Sequence, residues 1–198
     1  LAAVTFTPTA NFNSSFTIAT SVSDGAASVT GSKSIIGIAV NDAPTATNLS
    51  TAETYTEDTP LKLTDIVVSD VDKATVTATL TMTNPSAGSL STATTGATTA
   101  TYNAGTGVWT ASGAVANVNT LLAGVTFTPT ANFNSSFTIL TSISDGTASV
   151  TGGKSITGVA VNDAPTATNL SASETYTEDT SLNLTDIVVS DVDNATLT

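Results

Sequence analysis

Apolar and polar residues alternate one for one from Thr75 to Thr83, placing Val76, Ala78, Leu80 and Met82 on one side of an extended chain and threonines on the other. That pattern predicts a strand with one buried and one wet face. Similar runs at 61–68, 98–102, 107–111, 124–128, 137–143 and 148–161 are separated by glycine, asparagine and proline turns. About seven short strands of this kind predict an all-β, two-sheet sandwich. One segment has a different period: Val115, Val118, Leu121 and Leu122 recur at spacings of three and four. It predicts one or two helical turns, with Ser112 positioned to cap the start and Gly124 to end it.

The pattern repeats on a larger scale. Residues 1–77 realign with 122–198 at a fixed offset of 121, and 64 of those 77 positions are identical. A period of 121 exceeds that of a solenoid and suits one whole sandwich domain. The boundary falls at Val40-Asn41-Asp42-Ala43-Pro44 and its copy Val161-Asn162-Asp163-Ala164-Pro165, where proline forces an extended connector. This phase predicts that 1–42 is the C-terminal part of a preceding repeat. Residues 43–163 are then one complete repeat, and 164–198 the N-terminal part of the next.

Composition sharpens the picture. Forty-three of the 198 residues are threonine, which favours strands because a β-branched side chain loses little rotamer freedom there. Sixteen acidic residues stand against 4 lysines, with no arginine or histidine, for a net charge of -12. A nucleic-acid partner is excluded by repulsion from phosphates. With no cysteine there is neither a disulfide frame nor a thiolate metal site. The longest apolar run, Ile35 to Val40, is broken by Gly37 and falls far short of the roughly 20 residues that cross a bilayer. No membrane insertion is expected.

All the acidic residues fall in 24–72 or 145–193, and 74–144 contains no charged side chain. The two clusters coincide with the repeat junctions. Asp24, Asn41, Asp42, Glu57, Asp58, Asp70 and Asp72 are the oxygen donors expected at the first. Asp145, Asn162, Asp163, Glu178, Asp179, Asp191 and Asp193 are those expected at the second. Converging carboxylates repel by about 1 to 4 kcal/mol for each close pair, and a hard cation with several oxygen ligands, Ca²⁺ above all, offsets that repulsion. The alternative is that turns simply favour Asp and Asn, with Lys73 offsetting Asp72.

Several segments jointly resemble a known family. They are Val40-Asn41-Asp42-Ala43-Pro44, Tyr55-Thr56-Glu57-Asp58-Thr59, Ser69-Asp70-Val71-Asp72, Val22-Ser23-Asp24-Gly25 and Val125-Thr126-Phe127-Thr128-Pro129-Thr130-Ala131-Asn132-Phe133-Asn134. Together they look like the cadherin-like, VCBS-type tandem repeats of giant bacterial RTX adhesins and related surface proteins. The resemblance covers the whole chain. It implies immunoglobulin-like sandwiches in long arrays, secreted or at the cell surface, with Ca²⁺ at the junctions. The connector matches the cadherin linker only at Asn41 and Asp42, with Asn162 and Asp163 as the second copy. Without arginine the Asp-Arg-Glu element of cadherins proper is missing, and one ion per junction is expected.

The expected function is therefore a structural spacer in an adhesin or fibre. Its partners would be neighbouring repeats of the same chain. Alternatives are like chains pairing by strand addition in a filament, or a surface glycan stacked on Trp109, Tyr102 and the phenylalanines. An enzyme is not expected. No histidine is present for a triad, and Glu57 and Asp70, a carboxylate pair of the kind glycosidases use, sit in turns rather than a cleft.

Overall fold

A computed structural model describes residues 3–197. The first 42 residues contribute one antiparallel hairpin, β1 (Phe16–Ser23) with β2 (Ser28–Ile35). There follow β3 (Thr45–Ala46), β4 (Glu53–Thr56), β5 (Leu61–Lys62), β6 (Val68–Ser69), β7 (Thr75–Met82), β8 (Gly88–Leu90), β9 (Thr94–Thr95) and β10 (Thr98–Thr99). Next come β11 (Thr101–Asn103), β12 (Val108–Ala114), the helix α1 (Val115–Ala123), β13 (Thr126–Pro129), β14 (Phe137–Ser144) and β15 (Ser149–Val159). A last pair, β16 (Thr166–Thr168) with β17 (Val188–Ser190), closes the described chain. The protein is all-β with one short helix. Runs expected as single strands are divided: 61–68 holds the ends of two, β5 and β6, which pair with β13 and β3.

A six-stranded sheet in the order β11-β12-β7-β14-β15-β4 carries most of the structure. Its neighbours are antiparallel except β15 and β4, which run in parallel. The three-stranded sheet β5-β13-β8 packs on its inner face, where Phe127 meets Tyr55 at 5.2 Å and Phe137 at 5.0 Å between ring centroids. Trp109 ties the layers by donating its indole N–H to the Ser91 carbonyl at 3.0 Å. The alternation from Thr75 behaves as its period requires: Val76, Ala78, Leu80 and Met82 are buried and the threonines between them face outward.

The helix spans the segment that the spacing indicated, but Ser112 does not cap it. Ser112 precedes the helix on the outer face of β12 and shares a 2.8 Å hydrogen bond with Thr77. The first helical N–H, that of Val115, is instead accepted by the Ala74 carbonyl at 3.0 Å, and Gly124 donates back to Leu121 at the other end.

All buried hydrophobic residues lie between Leu49 and Ile156. The flanking segments carry the same apolar pattern without a core. Tyr55 is 2% exposed and its copy Tyr176 is 74% exposed; Ile143 is 0% exposed and its copy Val22 62%. Near-identical segments thus differ in burial because, among the described residues, the six-stranded and three-stranded sheets that enclose the core are both built from 53–159. Phe6, Phe12 and Phe16 pack edge-on against one another in the first segment, a small cluster in place of a core.

Candidate metal centre

Two loops carry the residues that matter, and local geometry shapes each. In the hairpin between β14 and β15, the Asp145 carboxylate accepts the N–H groups of Thr147 at 2.7 Å and Ala148 at 2.6 Å, and Gly146 takes a positive φ of 88°. After β6, Asp70 accepts the N–H groups of Asp72 at 2.8 Å and Lys73 at 2.7 Å. Both are turns in which a short carboxylate replaces a backbone acceptor. They sit at the same end of the module. The connector reaches them there: Asn41 donates to Asp145 at 2.7 Å, and the Asp42 N–H donates to Asp72 at 2.6 Å.

The opposite end is built by the parallel pair. Because β4 runs alongside β15 in the same direction, the chain leaving β4 arrives where β15 exits, and the Glu57 N–H donates to the Val159 carbonyl at 2.9 Å. The Glu57 carboxylate is 2% exposed; its Oε2 accepts the Val161 N–H at 2.9 Å and the Asn134 amide at 3.2 Å. Asp58 adopts a left-handed φ of 57° and accepts the Asn132 N–H at 3.0 Å. The loop bearing Asn132 and Asn134 is pinned by Tyr55, whose hydroxyl donates to Phe133 and Ser135 at 3.0 Å each. Gly158 leaves room for it, since a Cβ there would collide with the Asn134 carbonyl.

The acidic residues therefore group differently from their order in the chain. One joint collects Asn41, Asp42, Asp70, Asp72 and Asp145. The other collects Glu57, Asp58, Asn162, Asp163, Asp191 and Asp193. In the second, the Asp163 N–H donates to Asp193 at 2.6 Å, Asp191 accepts the Asp193 N–H at 2.9 Å, and Asn194 donates to Asn162 at 3.1 Å. Glu57 and Asp58, expected beside Asp42, stand at the far end of the module; Asp145, expected beside Asp163, stands with Asn41. Asp24 only closes its own turn, on the N–H groups of Ala26 and Ala27, which hold its carboxyl below its ordinary 3.8. Glu178 and Asp179 are exposed and join neither group. Asn132 and Asn134 were not among the expected donors. The signal for them was the asparagine pair two residues apart in Thr130-Ala131-Asn132-Phe133-Asn134.

The second joint leaves oxygen atoms without partners. Carboxylate oxygens of Glu57, Asp58 and Asp163 lie within 4.8 Å of one another. Glu57 Oε1 and Asp163 Oδ2 are buried with no hydrogen-bond donor, as are Asn41 Oδ1 and Asp70 Oδ2 at the first joint. A buried unsatisfied polar atom costs about 1–3 kcal/mol, more for a charged group. Burial, and then the charges of Asp193, Asp58, Glu57 and Asp191, hold the Asp163 carboxyl above its ordinary 3.8. Lys73 faces Asp145 at the first joint, but Asn194 takes its place at the second. Among the described residues the ion pairs are Lys154–Glu53 and Lys62–Asp65, neither of them at a joint. An all-oxygen set of carboxylates and amides with orphaned buried atoms fits a hard cation such as Ca²⁺.

The two shifts have opposite signs with pH. Because the folded joint binds a proton at Asp163 more tightly than the unfolded chain does, cation-free protein gains stability as pH falls from neutral toward 3.8. Asp145 is lowered to about 2, chiefly by the Ala148 N–H, then by the Asn41 amide and the Thr147 N–H. Its contribution is lost only as pH falls from 3.8 toward about 2. Thermal melting in chelator should therefore rise and then fall on acidification, and Asp163→Asn should flatten the rise. A melting temperature that drops steadily from neutral pH would contradict this.

No family model and no curated protein sequence matches the chain. Among the solved structures that match, two have TM-scores of 0.33 and 0.34. The first is domains 4 and 5 of the S-layer protein SbsC, 17% identical over 72% of this chain and 58% of that one. The second is domains 4–9 of surface layer protein SbsC, 16% identical over 77% of this chain and 19% of that one. The chain thus spans less than two thirds of either neighbour.

Proposed function

We propose that the chain belongs to a tandem array of immunoglobulin-like modules of 121 residues, secreted or at the cell surface, in which each module is a spacer and Ca²⁺ stiffens the joints. The reading joins the cadherin-like sequence resemblance to one observation that carries most of the weight. Glu57, almost wholly buried, has one carboxylate oxygen without a partner, and its carboxylate reaches within 4.8 Å of oxygens of Asp58 and Asp163. A cation there would take carboxylate oxygens from Glu57 and Asp58 of one module, Asp163 of the connector, and Asp191 and Asp193 of the next. Nearby Asn162 supplies amide oxygen. At the other joint the matching donors are Asn41, Asp42, Asp70 and Asp72, with Asp145 beside them.

Bridging would stiffen the array, because a connector held by donors on both sides loses its hinge freedom. Catalysis is no part of this reading. A glycan platform loses its basis in the module, since Trp109 is fully buried and Tyr102 packs inward against the core.

Calcium titration by calorimetry tests the proposal. For an affinity of about 10⁻⁴ M, usual for extracellular modules, millimolar Ca²⁺ adds roughly 1.4 kcal/mol per site and raises the melting temperature by about 4–8 °C. Glu57→Gln and Asp163→Asn should each remove the binding heat of the second joint. If chelator changes neither the melting temperature nor the small-angle scattering profile, the joints do not bind calcium.

A further inference from the structure

We infer that the outer face of the six-stranded sheet is a lateral docking surface for a second copy of this chain. Every outward position on β4, β7, β11, β12, β14 and β15 is uncharged in a protein whose net charge is -12. Its central row crosses four strands as Thr110, Thr79, Ser142 and Thr151, and the next row runs Val108, Thr81 and Leu140, the last 50% exposed. None of the hydroxyls of Thr79, Thr81, Thr110, Ser142 and Thr151 has a hydrogen-bond partner in the chain among the described residues, so each is free to pair across an interface.

Three arguments favour a second copy over other occupants. The first is charge. Soluble surfaces usually intersperse charges at about 25–35% of positions, and a neutral face promotes association. The exposed acidic groups that would repel a like chain lie at the joints, in the flanking segments and, for Asp65, between β5 and β6, none of them on this face. The second is shape: a twisted sheet packs best on another with the same twist, at about −30°. The third is area. The six strands, of three to eleven residues each and about 4.8 Å apart, present roughly 650 Å². That is close to the roughly 800 Å² each partner gives a standard interface. Threonine adds little ordering cost, because its rotamer is already restricted in a strand. Among the described residues no aromatic ring, which a glycan would need, faces outward from these strands.

The surface is independent of the cation site, and the test separates the two. Sedimentation velocity of the full chain, from micromolar to millimolar concentration, should show reversible self-association that persists in chelator. Thr79→Lys combined with Thr151→Lys, two positions of the central row kept apart by Ser142, places like charges on both facing sheets and should weaken association more than about a hundredfold. Both side chains point to solvent, so its thermal melt should stay close to that of the parent. Thr79→Val should associate at least as tightly as the parent. The inference is overturned if the parent chain stays monomeric throughout, if the lysine variant associates as the parent does, or if association vanishes on chelation alone. The last result would move the contact to the joints.

Discussion

Lys154→Met is expected to lower stability by about 3–5 kcal/mol, the usual loss when one partner of a buried ion pair is removed. The Lys154 ammonium sits on the inner face of β15 with 0% of its side chain exposed, 2.8 Å from a carboxylate oxygen of Glu53 on β4 and 3.2 Å from the Thr64 carbonyl. Without it, Glu53 keeps only the Thr64 N–H, at 3.0 and 3.1 Å, and its charge stays in a space only 6% exposed. That loss is a large share of the 5–15 kcal/mol by which domains are ordinarily stable. Replacing both partners, Lys154→Met with Glu53→Leu, should restore most of it, because apolar side chains of similar volume need no compensation. Urea denaturation of the two single variants and the double variant gives the coupling directly. A single-variant loss below about 1 kcal/mol, the size of an exposed pair, would mean that water reaches the site.

Trp109→Ala should cost a comparable amount, about 3–5 kcal/mol. The indole is fully buried on β12, beside Leu80 of β7 and Tyr102 of β11, and its N–H is accepted by Ser91 beyond β8. Truncation would open a cavity in the buried core between the two sheets and leave the Ser91 carbonyl without its donor. Trp109→Phe separates the two effects: it fills most of the volume and should cost about 1–3 kcal/mol, mainly for the lost hydrogen bond. Urea midpoints at unchanged slope measure both. Equal losses for the two variants would place the whole effect in the hydrogen bond and none in packing. Neither residue touches a joint, so calcium heats per folded molecule should match those of the parent.

Much of this architecture was legible along the chain. Strand β7 could be read with its faces assigned, since alternation is a local property of an extended backbone and Thr75 to Met82 breaks it nowhere. Helix α1 showed in four apolar residues. Its cap did not, because Ala74, the carbonyl that accepts the first N–H, lies 41 positions before Val115 and is brought there only by the β7–β12 pairing. The buried pair of Lys154 and Glu53 was invisible for the same reason. Lysine and glutamate 101 positions apart carry no local sign that they will meet.

The acidic joints divide the same way. Which residues are candidates followed from the chain itself: carboxylates gather in two stretches that repeat at an offset of 121, and a neutral stretch separates them. Which candidates share a space did not. Glu57 is 15 positions from Asp42 and 106 from Asp163, yet it stands with Asp163, because β4 lies parallel to β15 and carries Glu57 to the exit of the module. Strand direction within a sheet is set by pairing between distant segments. Periodicity told each residue which way to face; only the assembled sheets decided what it would face.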